Sequence, residues 1–201
     1  MNVYSQWATY YGGKAIAEFE QTTYLQDFPA YLRGGCCMTL CCNWIGKKAD
    51  MAAFITHVNS DVGKAQVRGF QGMATKAADP ASKMGGYFVG YANEVLKIYK
   101  ATWQGEIAMR DKRNIDELSR FVGNKSAYYQ LHFKASANSS GHAVAFHNTG
   151  NSLQLFDPNY GMVEFSGGQR FGQFNFMLTK LLRDFYPDLD GQWECMRVYN
   201  N

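Results

Sequence analysis

The spacing of apolar residues changes partway along this chain of 201 residues, and that change limits the fold more than any other feature. The first ~33 residues are aromatic-rich and poorly periodic. From Cys37 to about residue 122, apolar side chains recur every three or four positions and predict helices. From residue 128, short runs separated by Gly, Asn and Ser predict strands. The predicted helices cover residues 37–45, 49–77 (one or two helices), 81–102, 115–122 and 171–185, and the predicted strands cover residues 128–133, 142–147, 153–156, 162–165 and 192–199. The predicted fold class is α+β, with a helical N-terminal half packed against a mostly antiparallel sheet and a cleft between them.

The composition favours one domain and gives no indication of a nucleic-acid or membrane partner. Hydrophobic residues make up 46% of the chain, enough for one sizeable core, so we expect a single domain over residues 1–201. The formal net charge is only +3, and the basic residues are scattered. No apolar run approaches the ~18 residues of a membrane span. The N-terminal residues also lack the basic and then apolar pattern of a Sec-type signal peptide.

Cysteine usage argues against a disulfide scaffold and against a structural metal. Four of the five cysteines crowd into seven positions: Cys36, Cys37, Cys41 and Cys42. Cysteines this close together cannot form ordinary unstrained disulfides with one another, so a reducing compartment fits better. The spacing also differs from the C-x-x-C spacing of zinc knuckles, and there is no second cysteine cluster. We therefore expect neither a metal nor a cofactor.

Cys37 is a candidate nucleophile because it follows two glycines and begins a predicted helix. Unpaired N–H groups at a helix N-terminus favour negative charge and lower the pKa of a thiol placed there. Gly34 and Gly35 remove side-chain bulk, so a substrate can approach the sulfur, and the backbone N–H of Cys37 can face an oxyanion. A small buried hydrophobic residue is the simpler interpretation, and we favour it for the other downstream cysteines: Cys41, Cys42 and Cys195.

An imidazole and a carboxylate lie on two consecutive predicted strands with a turn at Thr149-Gly150. If those two residues form the loop, His142 and Asp157 lie directly opposite each other, with Cβ atoms roughly 4.5–5.5 Å apart. A four-residue loop around the same centre gives the same pairing, whereas a three-residue loop would place them on opposite faces. The simplest turn therefore permits a hydrogen bond that fixes the imidazole tautomer. Taken singly, each has a plainer interpretation: a structural histidine on a strand, and a turn-forming aspartate before Pro158. The other histidines have no partner pattern and are expected to be structural or surface residues: His57, His132 and His147.

Three motifs occur in a fixed order along the chain. They are Gly35-x-Cys37-x-x-Leu40-x-x-x-Trp44, Gly141-His142-Ala143 and Phe156-Asp157-Pro158-Asn159-x-Gly161. Together they resemble the YopT/AvrPphB family of bacterial effector cysteine proteases, part of the papain-like clan. The resemblance spans about residues 34–166. Its specific part is the Asp-Pro-Asn-x-Gly motif beside Gly-His-Ala, since the cysteine motif alone is weak.

The resemblance implies a papain-like thiol protease and assigns roles to three residues. Cys37 is then the nucleophile, His142 the general base and later the acid, and Asp157 the residue that orients His142. The resemblance also implies a toxin or virulence effector, secreted without a Sec-type signal peptide and acting in the cytosol of a target cell. Family members cleave host proteins such as prenylated small GTPases or a kinase. Related toxins act between bacteria and travel with an immunity protein, so the candidate partners are a protein substrate and a cognate immunity protein or inhibitor.

The chain departs from the family pattern ahead of the nucleophile. Papain-like enzymes usually place Gln or Asn about five or six residues before the cysteine as an oxyanion donor. Leu32 and Tyr31 hold those positions here. Gln26, Arg33 or a backbone N–H would have to take that role.

Two further questions stay open at the level of sequence. Cys36 leaves the register of the nucleophile uncertain by one residue, although the Cys-x-x-Leu spacing favours Cys37. Deamidation, transglutamination and peptidoglycan amide hydrolysis use the same triad as proteolysis. A partner-binding domain with incidental cysteines is the non-enzymatic alternative.

Overall fold

A seven-stranded antiparallel sheet lies at the centre of the fold. The computed structural model describes residues 1–32, 35–77, 88–109, 114–136, 141–191 and 193–200. In chain order the strands are β1 (Lys14–Glu18), β2 (Ala101–Met109), β3 (Ala127–Lys134), β4 (Gly141–Asn148), β5 (Ser152–Asp157), β6 (Gly161–Ser166) and β7 (Trp193–Asn200). Across the sheet they follow the order β1-β6-β5-β4-β3-β7-β2, and each of these pairings is antiparallel. Because β3 to β6 form a meander, the start of β4 and the end of β5 lie at the same end of the sheet.

Helices cover both faces of this sheet. Those of the described residues are α1 (Val3–Tyr10), α2 (Gln21–Tyr24), α3 (Cys37–Gly46), α4 (Met51–Asn59), α5 (Asp61–Ala77), α6 (Phe88–Ile98), α7 (Ile115–Gly123) and α8 (Arg170–Lys180), which continues as a π-helical segment, Leu181–Phe185. Residues of α3, α4, α5 and α6 form one apolar cluster, and residues of α1, α7 and α8 form a second one. The α+β fold class predicted from the sequence, a helical N-terminal half packed against a mostly antiparallel sheet, is confirmed. None of the described helices is long and apolar enough to cross a membrane.

The central strands are rich in apolar residues because both of their faces are covered. In β3, Tyr129, Leu131 and Phe133 pack into the cluster with α7 and α8. Tyr128 alternates to the opposite face and joins the cluster with α3. The sheet therefore separates two cores, and contacts between groups on its two faces are possible only where strands end.

Two strands at the edges of the sheet differ from the sequence-based prediction. The helix predicted over residues 81–102 ends at Ile98 in the structure, and its first residues, 81–87, lie outside the described part of the chain. Lys100 has a positive φ of 58°, which turns the chain into β2. The sequence also gave no prediction for β1. Each of these strands pairs on one side only, so neither carries the continuous apolar run that marks a central strand.

Candidate active site

Cys37 is the first residue of α3, as the predicted helix start required. The chain enters the helix through Gly35, whose φ of 128° lies in the region that favours glycine. The first helical hydrogen bond runs from the N–H of Leu40 to the carbonyl of Cys36 at 2.9 Å. The Cys37 side chain is only partly buried. A partly exposed thiol at a helix N-terminus is the environment in which a thiolate is stabilised.

Helix α3 is held against the sheet by packing and by hydrogen bonds. The rings of Trp44 and Phe156 stack with centroids 5.4 Å apart, which joins α3 to β5. Gln130 of β3 donates a hydrogen bond from Nε2 to the carbonyl of Met38 at 3.1 Å. The Cys41 thiol lies 3.4 Å from the carbonyl of Ala143. These contacts fix the N-terminus of α3 beside the start of β4.

His142 and Asp157 meet, but not by the strand pairing that the sequence suggested. Asn148 pairs with Leu153, so four residues, 149–152, separate the last paired positions of β4 and β5. His142 and Asp157 are therefore diagonal neighbours, offset by two positions, and the prediction of direct opposition was wrong. An offset of two keeps both side chains on one face of the sheet. His142 Nε2 lies 2.9 Å from Asp157 Oδ1.

The connection between β4 and β5 is stabilised by Thr149. Its N–H donates to the carbonyl of Ser152 at 3.0 Å, and its hydroxyl oxygen accepts from the N–H of Ser152 at 2.8 Å. Gly150 has a φ of 88°, a conformation that glycine adopts readily. These contacts within the loop shift the register by two positions from the simplest two-residue turn.

The three candidate catalytic residues come together at the ends of the strands, where the two faces of the sheet can meet. Side chains alternate between the two faces of the sheet along β4, so His142 lies on the same face as Val144, the face covered by α7 and α8. Cys37 packs against the apolar cluster on the opposite face. His142 is the second residue of β4 and Asp157 the last residue of β5. The Cys37 thiol is hydrogen-bonded to His142. Since Nε2 of His142 faces Asp157, Nδ1 is the ring nitrogen that bonds to the Cys37 thiol.

The electrostatics of this line of groups favour a thiolate and an imidazolium. Burial raises the pKa of the Cys37 thiol, but several effects outweigh it and lower the pKa overall: the positive charge of His142, its hydrogen bond, and the backbone N–H groups of Ala143 and Met38. Burial alone would lower the pKa of His142. The charges of Asp157 and Cys37, together with their hydrogen bonds, instead raise it to about 10. Both shifts favour the charged pair, a thiolate and an imidazolium.

The neighbouring Cys36 has a different environment. Its side chain is fully buried, and its thiol points to the carbonyl of Leu32 at 3.8 Å. Burial, with a smaller effect of Cys37, raises the pKa of the Cys36 thiol to about 12. Of the two adjacent cysteines, only Cys37 faces His142, so the geometry favours the register in which Cys37 is the nucleophile.

The remaining cysteines and histidines lie away from this line of groups. The downstream cysteines are buried, as expected for core residues: Cys41, Cys42 and Cys195. His147 hydrogen-bonds Gln154 at 3.0 Å, and His57 Nε2 hydrogen-bonds Gln66 at 2.8 Å. His132 is buried on β3. Within the described residues no group of three or more His, Cys, Asp or Glu side chains is arranged to hold a metal ion.

Sequence reasoning missed Gln21, which links the two sides of the site. Its Oε1 accepts a hydrogen bond from the backbone N–H of Cys36 at 3.1 Å, and its Nε2 donates to Asn159 Oδ1. Gln26, considered for the oxyanion site, is exposed, and Arg33 lies outside the described residues. Gln21 precedes the nucleophile by far more than the family spacing, so no local signal in the sequence pointed to it.

Sequence reasoning also missed Tyr186, whose side chain lies against the imidazole and the carboxylate. Its hydroxyl oxygen is 2.9 Å from His142 Nε2 and 2.9 Å from Asp157 Oδ2. Its ring stacks on the His142 ring with centroids 4.5 Å apart and an angle of 27° between the planes. Tyr186 follows the π-helical segment, far from every motif, and one sequence carries no signal that would place it here.

Comparison with known proteins finds a matching family model and similar solved structures. The sequence model of the Peptidase C58 family, described as Yersinia/Haemophilus virulence surface antigen, matches residues 97–192. This segment holds His142, Asp157 and Tyr186, but Cys37 lies outside it. A search of curated proteins finds no match.

Two solved structures are similar to this chain. The avirulence protein AvrPphB of Pseudomonas is 16% identical over 92% of this chain and 96% of that chain, with a TM-score of 0.67. PatoxP, a cysteine protease-like domain of the Photorhabdus asymbiotica toxin PaTox, is 11% identical over 98% of this chain and 57% of that chain, with a TM-score of 0.52. The resemblance to the YopT/AvrPphB family that the three motifs indicated is confirmed, and so is the papain-like fold.

Proposed function

We propose that this chain is a papain-like cysteine endopeptidase that acts as a bacterial effector or toxin and cleaves specific proteins in a target cell. Cys37, His142 and Asp157 are its catalytic residues. The observation that carries the proposal is the hydrogen-bonded line from the Cys37 thiol through His142 to Asp157, in which the pKa of the thiol is lowered. The similar structures, an avirulence protein and a cysteine protease-like toxin domain, support the biological setting.

The chemistry is acyl transfer through a thioester. The Cys37 thiolate forms a bond to the carbonyl carbon of a peptide, and the electron pair of the C=O bond moves onto oxygen. When the intermediate collapses, the C–N bond breaks and the leaving amine takes the proton of the His142 imidazolium. Neutral His142 then accepts a proton from water as the water oxygen attacks the thioester, and the thiolate departs. Asp157 holds His142 in the tautomer that these steps need.

The developing oxyanion needs hydrogen-bond donors close to Cys37. The backbone N–H of Cys37 lies at the first position of α3, where no helical carbonyl accepts it. Gln21 is bonded through Oε1 to the neighbouring Cys36 N–H, and its Nε2 carries two hydrogens, of which Asn159 accepts one. The proposed oxyanion site combines the Cys37 N–H with the Gln21 amide.

The substrate and the route to it follow from the same proposal. A protease of this family acts on proteins, so the proposed partner is a protein substrate in another cell. A cognate immunity protein or inhibitor stays a prediction from the family resemblance.

The test compares three purified proteins: the wild type, Cys37→Ala and the matched control Cys36→Ala. Each is incubated with bacterial and with eukaryotic cell lysates, and new N-termini are identified by mass spectrometry after amine labelling. We expect a small set of new N-termini with the wild type and with Cys36→Ala, and none with Cys37→Ala.

Other outcomes are equally informative. Full activity of Cys37→Ala would refute the assignment, and an inactive Cys36→Ala with an active Cys37→Ala would move the nucleophile by one residue. Mass changes at Gln or Asn side chains without new N-termini would identify a deamidase instead.

A further inference from the structure

The hydroxyl of Tyr186 lies at the centre of a polar cluster that includes two of the proposed catalytic residues. Its oxygen is 2.9 Å from Asp157 Oδ2, 3.1 Å from Asp157 Oδ1 and 2.9 Å from His142 Nε2. Asn159 donates to the same oxygen from Nδ2 at 2.8 Å. A single hydroxyl thus contacts both groups of the His–Asp pair.

The hydrogens of this cluster can be assigned from its donors. Asn159 fixes the Tyr186 oxygen as an acceptor, so the one hydroxyl hydrogen points away from it to the carboxylate of Asp157. Burial, together with the negative charge of Asp157, raises the pKa of Tyr186, so the hydroxyl keeps its hydrogen and donates it. Asp157 Oδ1 also accepts from the backbone N–H of Asn159 at 2.8 Å. His142, Tyr186 and Asn159 therefore hold the carboxylate from three directions.

The Tyr186 ring restricts the imidazole as well. It stacks on one face of His142, and the edge of Phe133 contacts both rings at centroid distances of 5.5 Å and 5.3 Å. The backbone of Tyr186 is fixed by the π-helical turn, because its N–H donates to the carbonyl of Leu181 at 3.2 Å. The ring thus belongs to a rigid element, and rigid elements hold site groups more precisely than free loops do.

We propose that Tyr186 is a positioning residue: its hydroxyl orients Asp157 and its ring fixes the plane of His142, so that Nδ1 of His142 points at the Cys37 sulfur. The inference rests on the proposed function, since it deepens the account of the same site. Tyr186 touches no reacting atom and acts only through Asp157 and His142. With Tyr186, the groups that shape the site extend beyond the three motifs to the residue after the π-helical segment that continues α8.

Loss of the hydroxyl has a defined electrostatic consequence. Asp157 is fully buried, and without the hydroxyl its carboxylate would lose a charge-assisted hydrogen bond that water cannot replace. The carboxylate would then be held less firmly beside His142 and would stabilise the imidazolium less. The other titratable groups that act on His142 are Cys37 from α3 and His132 from β3. Burial, with smaller effects of Lys134 and His142, lowers the pKa of His132 to about 3, so it stays neutral.

The experiment measures how fast iodoacetamide alkylates Cys37 as a function of pH, in the wild type, in Tyr186→Phe and in the control Tyr129→Phe. Tyr129 is also a tyrosine, although it is fully buried whereas Tyr186 is half-buried, and its hydroxyl donates to the carbonyl of Lys125 at 2.8 Å, away from the site. We expect the pH of half-maximal alkylation to rise by roughly one unit in Tyr186→Phe, which lowers the rate up to about tenfold at pH values below the wild-type midpoint. The control should match the wild type. Identical profiles in all three folded proteins would overturn the proposal.

The alkylation assay needs no substrate, so it separates this inference from the proposed function. If no lysate protein is cleaved but the profile shifts, the positioning role stands and the protease proposal fails. If a substrate is found, Tyr186→Phe should lower kcat about tenfold and leave KM unchanged, because the proposed role acts on the orientation of His142 and Asp157 and not on substrate binding. Tyr186→Leu, which also removes the ring face, should lower kcat further.

A measurement on the wild type covers the case in which Tyr186→Phe does not fold. In a nitrogen-15 NMR spectrum at neutral pH, the proton on Nε2 of His142 should give a nuclear Overhauser contact to the ring protons of Tyr186. A His142 proton without that contact would overturn the proposal.

Discussion

The two arms of the site are built from different kinds of interaction. The base arm, residues 141–159, presents His142 and Asp157 through specific polar contacts. The nucleophile arm, residues 35–46, presents Cys37 through a helix N-terminus and apolar packing. The family model matches a segment that contains the base arm and excludes the nucleophile arm. Specific polar contacts allow few residue types at each position, whereas a helix N-terminus and an apolar packed face allow many. The sequence of the base arm is therefore easier to recognise than that of the nucleophile arm.

The largest effect is expected from breaking the base arm. His142→Ala should reduce kcat/KM by roughly 10⁴-fold, because both the general base and the partner of the thiolate are lost. Asp157→Ala should be milder, at roughly 10³-fold, because the imidazole remains but is no longer oriented. The measurement is cleavage of a substrate found in the lysate experiment.

The controls for these variants lie on the same strands or next to them. His147→Ala, on β4, and Glu164→Gln, on β6, remove similar groups outside the site and should keep activity within about threefold of the wild type. A control that loses as much activity as His142→Ala would show that strand stability, rather than acid–base chemistry, had been measured.

A smaller effect is expected from cutting the link between the arms. Gln21 bonds to the backbone of Cys36 on one side and to Asn159 on the other. Gln21→Ala should lower kcat about 100-fold, as for loss of an oxyanion donor. Alkylation of Cys37 by iodoacetamide, which forms no oxyanion, should change little. The exposed Gln26 gives the matched control Gln26→Ala; equal losses in both variants would remove Gln21 from the oxyanion site.

The smallest effect is expected from a change of pH, because it alters the charges of the site and leaves the residues of both arms in place. The pKa of Cys37 lies below the ordinary value of 9.0, and that of His142 is raised to about 10. The active form has a thiolate and an imidazolium, so activity should persist through neutral pH and fall as pH rises through about 10, where His142 loses its proton. The measurement is kcat/KM against pH. An alkaline limb near pH 6.5 would mean that Asp157 does not support the imidazolium.

The sequence predicted the centre of this fold better than its edges. The helix that begins at Cys37 and the four strands from β3 to β6 lie where the period of apolar residues placed them. The edge strands β1 and β2 were not predicted. Along the outer side of an edge strand, the backbone N–H and C=O groups have no strand to pair with. Such a strand forms mainly because a neighbouring strand is present, and its own residues carry only a weak strand pattern.

For the candidate site, the sequence predicted which side chains come together but not their exact geometry. His142 and Asp157 were placed on one face, but the loop at Thr149 shifted their pairing by two positions. Gln21 and Tyr186 escaped prediction because each reaches the site from an element that is distant in sequence. Their roles become visible only from the distances between side chains.

What the sequence determined by itself is local: a cysteine at the start of a helix after glycine, and a histidine and an aspartate at the two far ends of a hairpin. These follow from backbone preferences and from the period of apolar residues, which act over a few positions. The tertiary structure decided which of two adjacent thiols meets the imidazole, and which tyrosine covers it. Those outcomes depend on how two buried clusters pack across a sheet. This packing involves residues from many distant parts of the chain, so no short stretch of sequence determines it.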